Sequence, residues 1–207
     1  MVTVEPSDAE LLERWRSGDR DSGEMLFERY YRTVERFFLN KIGDAISDLV
    51  QETFMRCVKN HDHIRDNQFR VYLFGIAYRV LHGHFRERYR DRGVPGDTSV
   101  RDMADGPVTL VVQRRDHRLL LEALRTIPSD DQVILELHYW ESLTTDEIAE
   151  VLGIPVGTAR GRLQRAREKL GEVMHRLTDS PHPLATTVAC LEDWARDCRI
   201  HLDDYRA

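Results

Sequence analysis

The chain has 207 residues, 41% of them hydrophobic and 32% charged, with a formal net charge of −6. That length suits one or two modest domains with real cores, and no apolar run approaches the length of a membrane span. Three scattered cysteines (Cys57, Cys190, Cys198) are too few for a disulfide framework and point to a reducing, cytoplasmic setting, while the acidic total argues against nonspecific coating of nucleic acid but leaves room for a local basic surface.

The N-terminal stretch MVTVEPSDAELLERW lacks a basic start and an apolar run, so it does not read as a secretory signal. From Ala9 to about Leu39, Leu12, Trp15, Leu26, Phe27, Tyr30, Val34 and Phe37 recur at helical spacing, and Gly18 and Gly23 divide the stretch into two helices. Asp44 to Lys59 predicts a helix with Ile46, Leu49, Val50, Phe54 and Val58 inward. A polar turn, NHDHIRDNQ, leads to a long aromatic helix from Phe69 to about Arg90. Periodicity is lost in DRGVPGDTSVRDMADGP, the best linker in the chain. It resumes near Val111 and stops at Pro128. Ser129 with Gln132 and Thr144 with Glu147 read as capping boxes for two further helices. Beyond TDSPHP, an amphipathic stripe of Val188, Leu191, Ala195, Cys198 and Leu202 predicts a helical tail.

The segment LTTDEIAEVLGIPVGTARGRLQRAREKL, Leu143 to Leu170, is the most informative. Thr144 to Leu152 forms a short helix. Gly153 permits the positive φ of a tight helix end, Ile154 plugs the angle, and Pro155 suits a helix start. Two helices joined in this way make a helix-turn-helix. At roughly 100° per residue, Ala159, Leu163, Ala166 and Leu170 share the buried stripe of the second helix. Opposite them lie Gly157, Gly161, Gln164, Arg165 and Glu168, flanked by Arg160 and Arg167 on one side and Arg162 and Lys169 on the other. Small residues allow close approach to a groove floor, Gln and Arg pair with purine edges, and flanking cations suit phosphates. The helix therefore reads as a DNA-reading element rather than a merely solvated basic face. Its apolar stripe is too narrow for a membrane-surface helix.

This segment closely resembles region four of bacterial sigma factors of the extracytoplasmic-function (ECF) group. A second anchor, DLVQETFMRCVKN (Asp48 to Asn60), resembles the region-two helix that docks on core RNA polymerase, and FRVYLFGIAYRVLHGHFRERYR resembles the region-two helix that meets the −10 element. The resemblance implies that Asp48, Leu49, Gln51 and Glu52 face the β′ clamp helices. It implies that the turn with Asn60, Asp62 and Asn67 pockets a flipped −10 base, and that Arg79, His82, Arg86 and Arg90 track the single strand. In the −35 major groove it implies Thr158, Arg160, Arg162, Gln164, Arg165 and Lys169. Stacking on aromatics and cationic contact to phosphate are how single strands are held, which adds Tyr78 and Tyr89 as candidates. Departures from the family pattern fall at Val71-Tyr72, Tyr78-Arg79 and Ala159-Arg160-Gly161, where it often has Ala-Trp, Arg-Asn and Val-Lys-Ser. The last two bear on −10 contacts and −35 preference, not on the class.

The reading is an all-α protein of two helical domains: residues 1–92 as the region-two bundle, a flexible linker at 93–112, the region-four domain at 113–177, and a helical tail at 178–207. The implied function is promoter-specific transcription initiation without enzymatic activity. The implied partners are core RNA polymerase, through its β′ clamp helices and β subunit, and promoter DNA; an anti-sigma factor is an additional candidate, and neither membrane nor cofactor is implied. The competing reading is a stand-alone helix-turn-helix regulator with a helical sensor domain, which would bind duplex operators as a dimer. A metallohydrolase built on His61, His63, His82 and His84 ranks third, since no nearby Cys or carboxylate completes a four-ligand set.

Overall fold

A computed structural model describes residues 5–42, 46–65, 68–91, 115–178, 189 and 191–193. The described residues form helices and turns: α1 (Asp8–Arg16), α2 (Arg20–Ile42), α3 (Ile46–Lys59), a 3₁₀ turn (His61–His63), α4 (Phe69–Asp91), α5 (Arg115–Thr126), α6 (Ser129–Tyr139), α7 (Thr145–Leu152) and α8 (Val156–Thr178). The predicted linker lies outside the described residues.

Local chemistry sets the helix ends. Ser7 caps α1 in a reciprocal box, its Oγ accepting from the Glu10 N–H at 3.3 Å while Glu10 Oε2 accepts from the Ser7 N–H at 2.7 Å. Gly18, at φ 99°, makes the break to α2, and Asp19 accepts from the N–H groups of Asp21 and Ser22 at the start of that helix. Thr144 and Glu147 form the expected box on α7, which ends at Gly153 with φ 65°. The box expected at Ser129 is not formed. Pro128 precedes α6 with no side-chain cap, and Gln132 is buried, its Nε2 donating to the Ile127 carbonyl at 2.9 Å.

Helices α1–α4 pack as one bundle. Leu12, Leu26, Val34, Phe37, Phe38 and Val50 meet Phe69, Leu73, Phe74, Ala77, Leu81 and Phe85 in its interior. Helices α5–α8 pack as a second bundle, with α8 touching α5, α6 and α7, and Leu120, Ile134, Ile148, Leu163, Ala166 and Leu170 inside. The two bundles meet where α4 lies against α7, and their buried apolar side chains form one contiguous cluster. Of the C-terminal tail, Ala189 and residues 191–193 are described. Leu191 is fully buried in that cluster, and the Glu192 charge reaches His138 and Tyr139.

Two expectations change. The inward face of α3 is Leu49, Val50, Thr53 and Cys57, with Ile46 and Phe54 half-buried and Val58 exposed. Thr53 can be buried because its Oγ1 donates to the Leu49 carbonyl at 2.7 Å, which satisfies the hydroxyl within the helix. Gly23 does not break a helix; it lies inside α2. A Cβ there would sit 2.8 Å from the Trp15 indole nitrogen, so glycine makes room for the ring. That ring is fixed edge-on to Phe27 (centroids 5.3 Å apart) and stacked on His61 (4.4 Å, planes 20° apart).

Helix propensity alone makes Gly23→Ala stabilising by about 1 kcal/mol. Overpacking against the held indole costs about 1–3 kcal/mol, so the variant's melting temperature should fall. In a Trp15→Leu background the same change should raise it, a reversal that thermal unfolding of the four proteins reads directly.

Candidate polymerase and promoter interfaces

The exposed side of α3 carries Asp48, Gln51, Glu52, Met55 and Lys59 on one stripe, with Val58 at its edge. Glu52 pairs with Arg56 at 2.5 Å. Leu49 differs from the other predicted docking residues: it is 7% exposed and helps to floor a groove of about 400 Å³ between α3 and α4. Glu52 and Arg56 form one wall of that groove, and Arg86, Glu87 and Arg90 line it from α4. Met55 and Val58, 50% and 41% exposed, were missed as surface residues. Spacing could have found Met55, because it stands four residues after Gln51.

The turn after α3 is tied to the helices around it. The Asn60 side chain donates to the Arg56 carbonyl at 2.9 Å, Asp62 is exposed beside His61 at 3.4 Å, and Asn67 lies outside the described residues. On α4, Arg79, Arg86 and Arg90 are exposed along one stripe. His82 belongs to the same stripe but is half-buried, its Nε2 3.2 Å from Asp130 of α6. Tyr78 is also half-buried. Burial, with Asp130 nearby, pushes its pKa up to about 12 against the opposing charge of Arg162 on α8. The predicted histidines thus have separate settings: His61 on Trp15, His82 at Asp130 and His84 in the groove. Among the described residues no three His, Cys, Asp or Glu side chains gather as a metal site would require. The Cys57 thiol is buried, which pushes its pKa to about 12.

On α8, Thr158, Arg160, Gln164 and Arg165 are exposed, opposite buried Ala159, Leu163 and Ala166. Ile154 is packed against the core at the bend. Gln164 donates to Glu168 at 2.8 Å, and Arg165 lies over Gly161, where a Cβ would approach its guanidinium at 3.4 Å. The flanking cations need correction. Lys169 is held by Asp131 of α6, and Arg167 donates to the Tyr139 hydroxyl at 2.8 Å while lying over its ring. Both reach back into their own bundle, because a long side chain at the edge of the buried stripe covers the neighbouring helix.

Comparison with known proteins matches these surfaces to one family. Residues 26–91 match sigma-70 region 2, and residues 117–170 match sigma-70 region 4. The RNA polymerase sigma factor HrpL of Pseudomonas syringae is 31% identical over 138 residues, covering 63% of this chain and 73% of that protein. The RNA polymerase sigma-H factor of Pseudomonas aeruginosa is 27% identical over 86% of this chain and 98% of its own. The ECF RNA polymerase sigma-E factor of Haemophilus influenzae is 26% identical over 79% and 93%.

The chain is an ECF sigma factor.

As a sigma factor it binds core RNA polymerase, recognises −35 and −10 promoter elements and initiates transcription of a specific regulon. The fold of this sigma factor is similar to that of CnrH, solved in complex with the cytosolic domain of CnrY, with a TM-score of 0.58, 22% identity and coverage of 82% of this chain and 97% of that one. It is also similar to RpoE of Bartonella quintana, solved with the anti-sigma factor NepR, with a TM-score of 0.57, 21% identity and coverage of 73% and 95%.

Two outcomes follow from the interior contacts of α8. Lys169→Ala should lower the melting temperature, by an amount equivalent to about 1 kcal/mol, and leave the salt slope of DNA binding unchanged. A slope reduced by roughly one unit would instead place Lys169 on a phosphate. The second outcome concerns His138, half-buried on α6. Burial holds its pKa below the ordinary 6.5, with Arg167 opposing the proton as well and the Leu143 carbonyl, 3.2 Å from Nδ1, favouring it. Below pH about 6.5 the unfolded chain takes up a proton that the fold resists. His138 therefore lowers stability as pH falls through that value. The loss of melting temperature between pH 7.5 and 5.5 should be smaller in His138→Gln than in the wild type.

Proposed function

We propose that residues 1–92 serve as the polymerase-docking and −10-capturing part of this sigma factor, and residues 113–177 as the −35-reading part. The docking face is the α3 stripe of Asp48, Gln51, Glu52 and Met55. An acidic and apolar helix face suits a basic helical partner such as the β′ clamp, and Leu49 contributes from the floor of the groove. The −10 strand is taken by the turn at Asn60 and Asp62, with Asn67, and by Arg79, His82, Arg86 and Arg90. Thr158, Arg160, Arg162, Gln164 and Arg165 read the −35 duplex. The chain works by recognition rather than by chemistry of its own, inside the cell where polymerase and promoters are.

The observation that carries this reading is the groove between α3 and α4, because Glu52 and Arg56 of the docking helix face Arg86 and Arg90 of the strand-tracking stripe across it. Docking and strand capture then share one rigid pair of helices. RpoE of Bartonella quintana is bound by an anti-sigma factor, which supports such a partner here, one that would have to cover these same faces.

Because Leu49 is buried, the test uses exposed positions. Asp48→Arg with Glu52→Arg should abolish capture of core polymerase while circular dichroism stays helical; undiminished capture would remove α3 from the interface. Arg165→Ala should cost roughly 1–3 kcal/mol on the preferred −35 sequence and relax preference at one base pair. Binding of holoenzyme to a library of −35 variants measures this, and an unchanged specificity profile would take Arg165 off the groove floor.

A further inference from the structure

Helix α1 and Gly23 precede residues 26–91, the stretch that matches sigma-70 region 2. Yet α1 is tied down at both ends. At its start Asp8 accepts from Arg29 and Tyr30 of α2, and Arg29 also donates to the Pro6 carbonyl at 2.9 Å. Toward its end Trp15 reaches the turn that follows α3. The indole is half-buried and braced edge-on by Phe27, whose own ring centroid lies 4.8 Å from that of Phe54 on α3. Helix α2 makes room for the indole at Gly23. The face of the indole lies on the His61 ring.

The turn needs such a support. It is a single 3₁₀ turn, whose hydrogen-bond geometry is poorer than that of an α-helix. Two of its backbone bonds, from His63 to the Asn60 carbonyl and from Ile64 to the His61 carbonyl, measure 3.1 and 3.2 Å. The Asp62 side chain is 72% exposed and His63 is exposed, so neither anchors the turn. Two side chains face inward instead: Ile64 is buried, and the His61 side chain is 25% exposed. Two contacts fix the His61 ring. Nδ1, facing an acceptor, donates to the Val58 carbonyl at 2.8 Å, and the indole covers one face with the planes 20° apart. The remaining nitrogen, Nε2, lies 3.4 Å from Asp62 Oδ1. An unbroken path of contacts therefore runs from Trp15 through His61 to the exposed carboxylate of Asp62.

We propose that Trp15 is a positioning residue for −10 recognition. The indole sets the tilt of the His61 ring, the ring sets Asp62, and α1 thereby becomes part of the reader although it touches no base. This role rests on the assignment, made above, of the turn to the −10 strand. Reading a base by hydrogen bonds requires the supporting side chains to hold the reading groups to within about 0.5 Å. Without the indole the His61 ring keeps its bond to Val58 but swings about it, and Asp62 loses a fixed orientation. A Trp15 that only filled space would contribute to the melting temperature and leave base preference untouched.

The test uses holoenzyme assembled with the full chain. It binds a random-sequence single-stranded DNA library, and sequencing of the bound strands gives the base preference at each position. Trp15→Leu keeps an apolar side chain and loses the flat face. It should reduce preference at one position by about fivefold or more, the size of one lost base contact. Preferences at the other positions and on a library of −35 duplexes should stay as in the wild type. Trp15→Phe, which restores a flat ring, should recover most of the lost preference. Leu12→Val removes volume from the buried side of the same helix, away from the turn, so it should lower the melting temperature without moving the profile. Should Trp15→Leu lose its helical spectrum, Gly23→Ala supplies the same reading, because its Cβ displaces the indole without deleting a contact group. A folded Trp15→Leu or Gly23→Ala with the wild-type profile would overturn the positioning role, as would a Leu12→Val profile flattened at the same base. Asp62→Ala tells the two failures apart. If it flattens a position that Trp15→Leu leaves intact, the positioning role fails alone. If neither variant moves the profile, the assignment of the turn has failed and the role of Trp15 with it.

Discussion

Helix α4 has to satisfy four of the other described helices at once. It packs on α3 within its own bundle and on α7 of the other, and touches α1 and α2 as well. Its sequence answers with Phe69, Val71, Leu73, Phe74, Ile76, Ala77, Val80, Leu81 and Phe85 buried on most of its circumference. Only a narrow strip remains for arginine, which places Arg79, Arg86 and Arg90 in one line. The arginine stripe is therefore what is left of α4 once its packing obligations are met. The rigidity of the stripe comes from the same burial, since well-packed aromatic and aliphatic side chains leave the helix little freedom to shift.

Much of the fold was legible because the governing interactions are local. Thr144, Glu147 and Gly153 delimit α7 through a capping box and a left-handed turn that involve only near neighbours. The buried stripe of α8 follows from its period. Where the reading failed, a long-range contact decided. Gly23 looks like a helix breaker until Trp15 is brought over it. Val58 looks internal by its spacing from Ile46, Val50 and Phe54, but the neighbours of α3 select a face centred on Thr53 and Cys57. Ser129 and Gln132 have the composition of a capping box, yet Gln132 faces the core, where the Ile127 carbonyl needs its donor.

The candidate site divides along the same line. Residue types and periodicity place Arg160, Gln164 and Arg165 together on the outer face of α8, and the structure leaves them exposed. They cannot distinguish a cation that points to solvent from one that folds back. Lys169 and Arg167 are the same distance from the buried stripe as residues that face outward, but Asp131 and Tyr139 of α6 claim them. The neighbours of Arg162 and His82, Tyr78 and Asp130, lie in the opposite bundle, beyond the reach of any pattern within one helix.

The stack of Trp15 on His61 has an optical consequence. The protein has three tryptophans, at 15, 140 and 194. Trp140 is buried in the second bundle, whereas the Trp15 indole lies face to face with an imidazole at the edge of the 3₁₀ turn. A neighbouring imidazole draws excited-state electron density from indole. Trp15 emission therefore reports the position of the His61 ring without any added label. Any ligand that settles into that turn and shifts the ring changes the brightness of the protein, and the indole that Gly23 makes room for doubles as a native gauge of events at the turn.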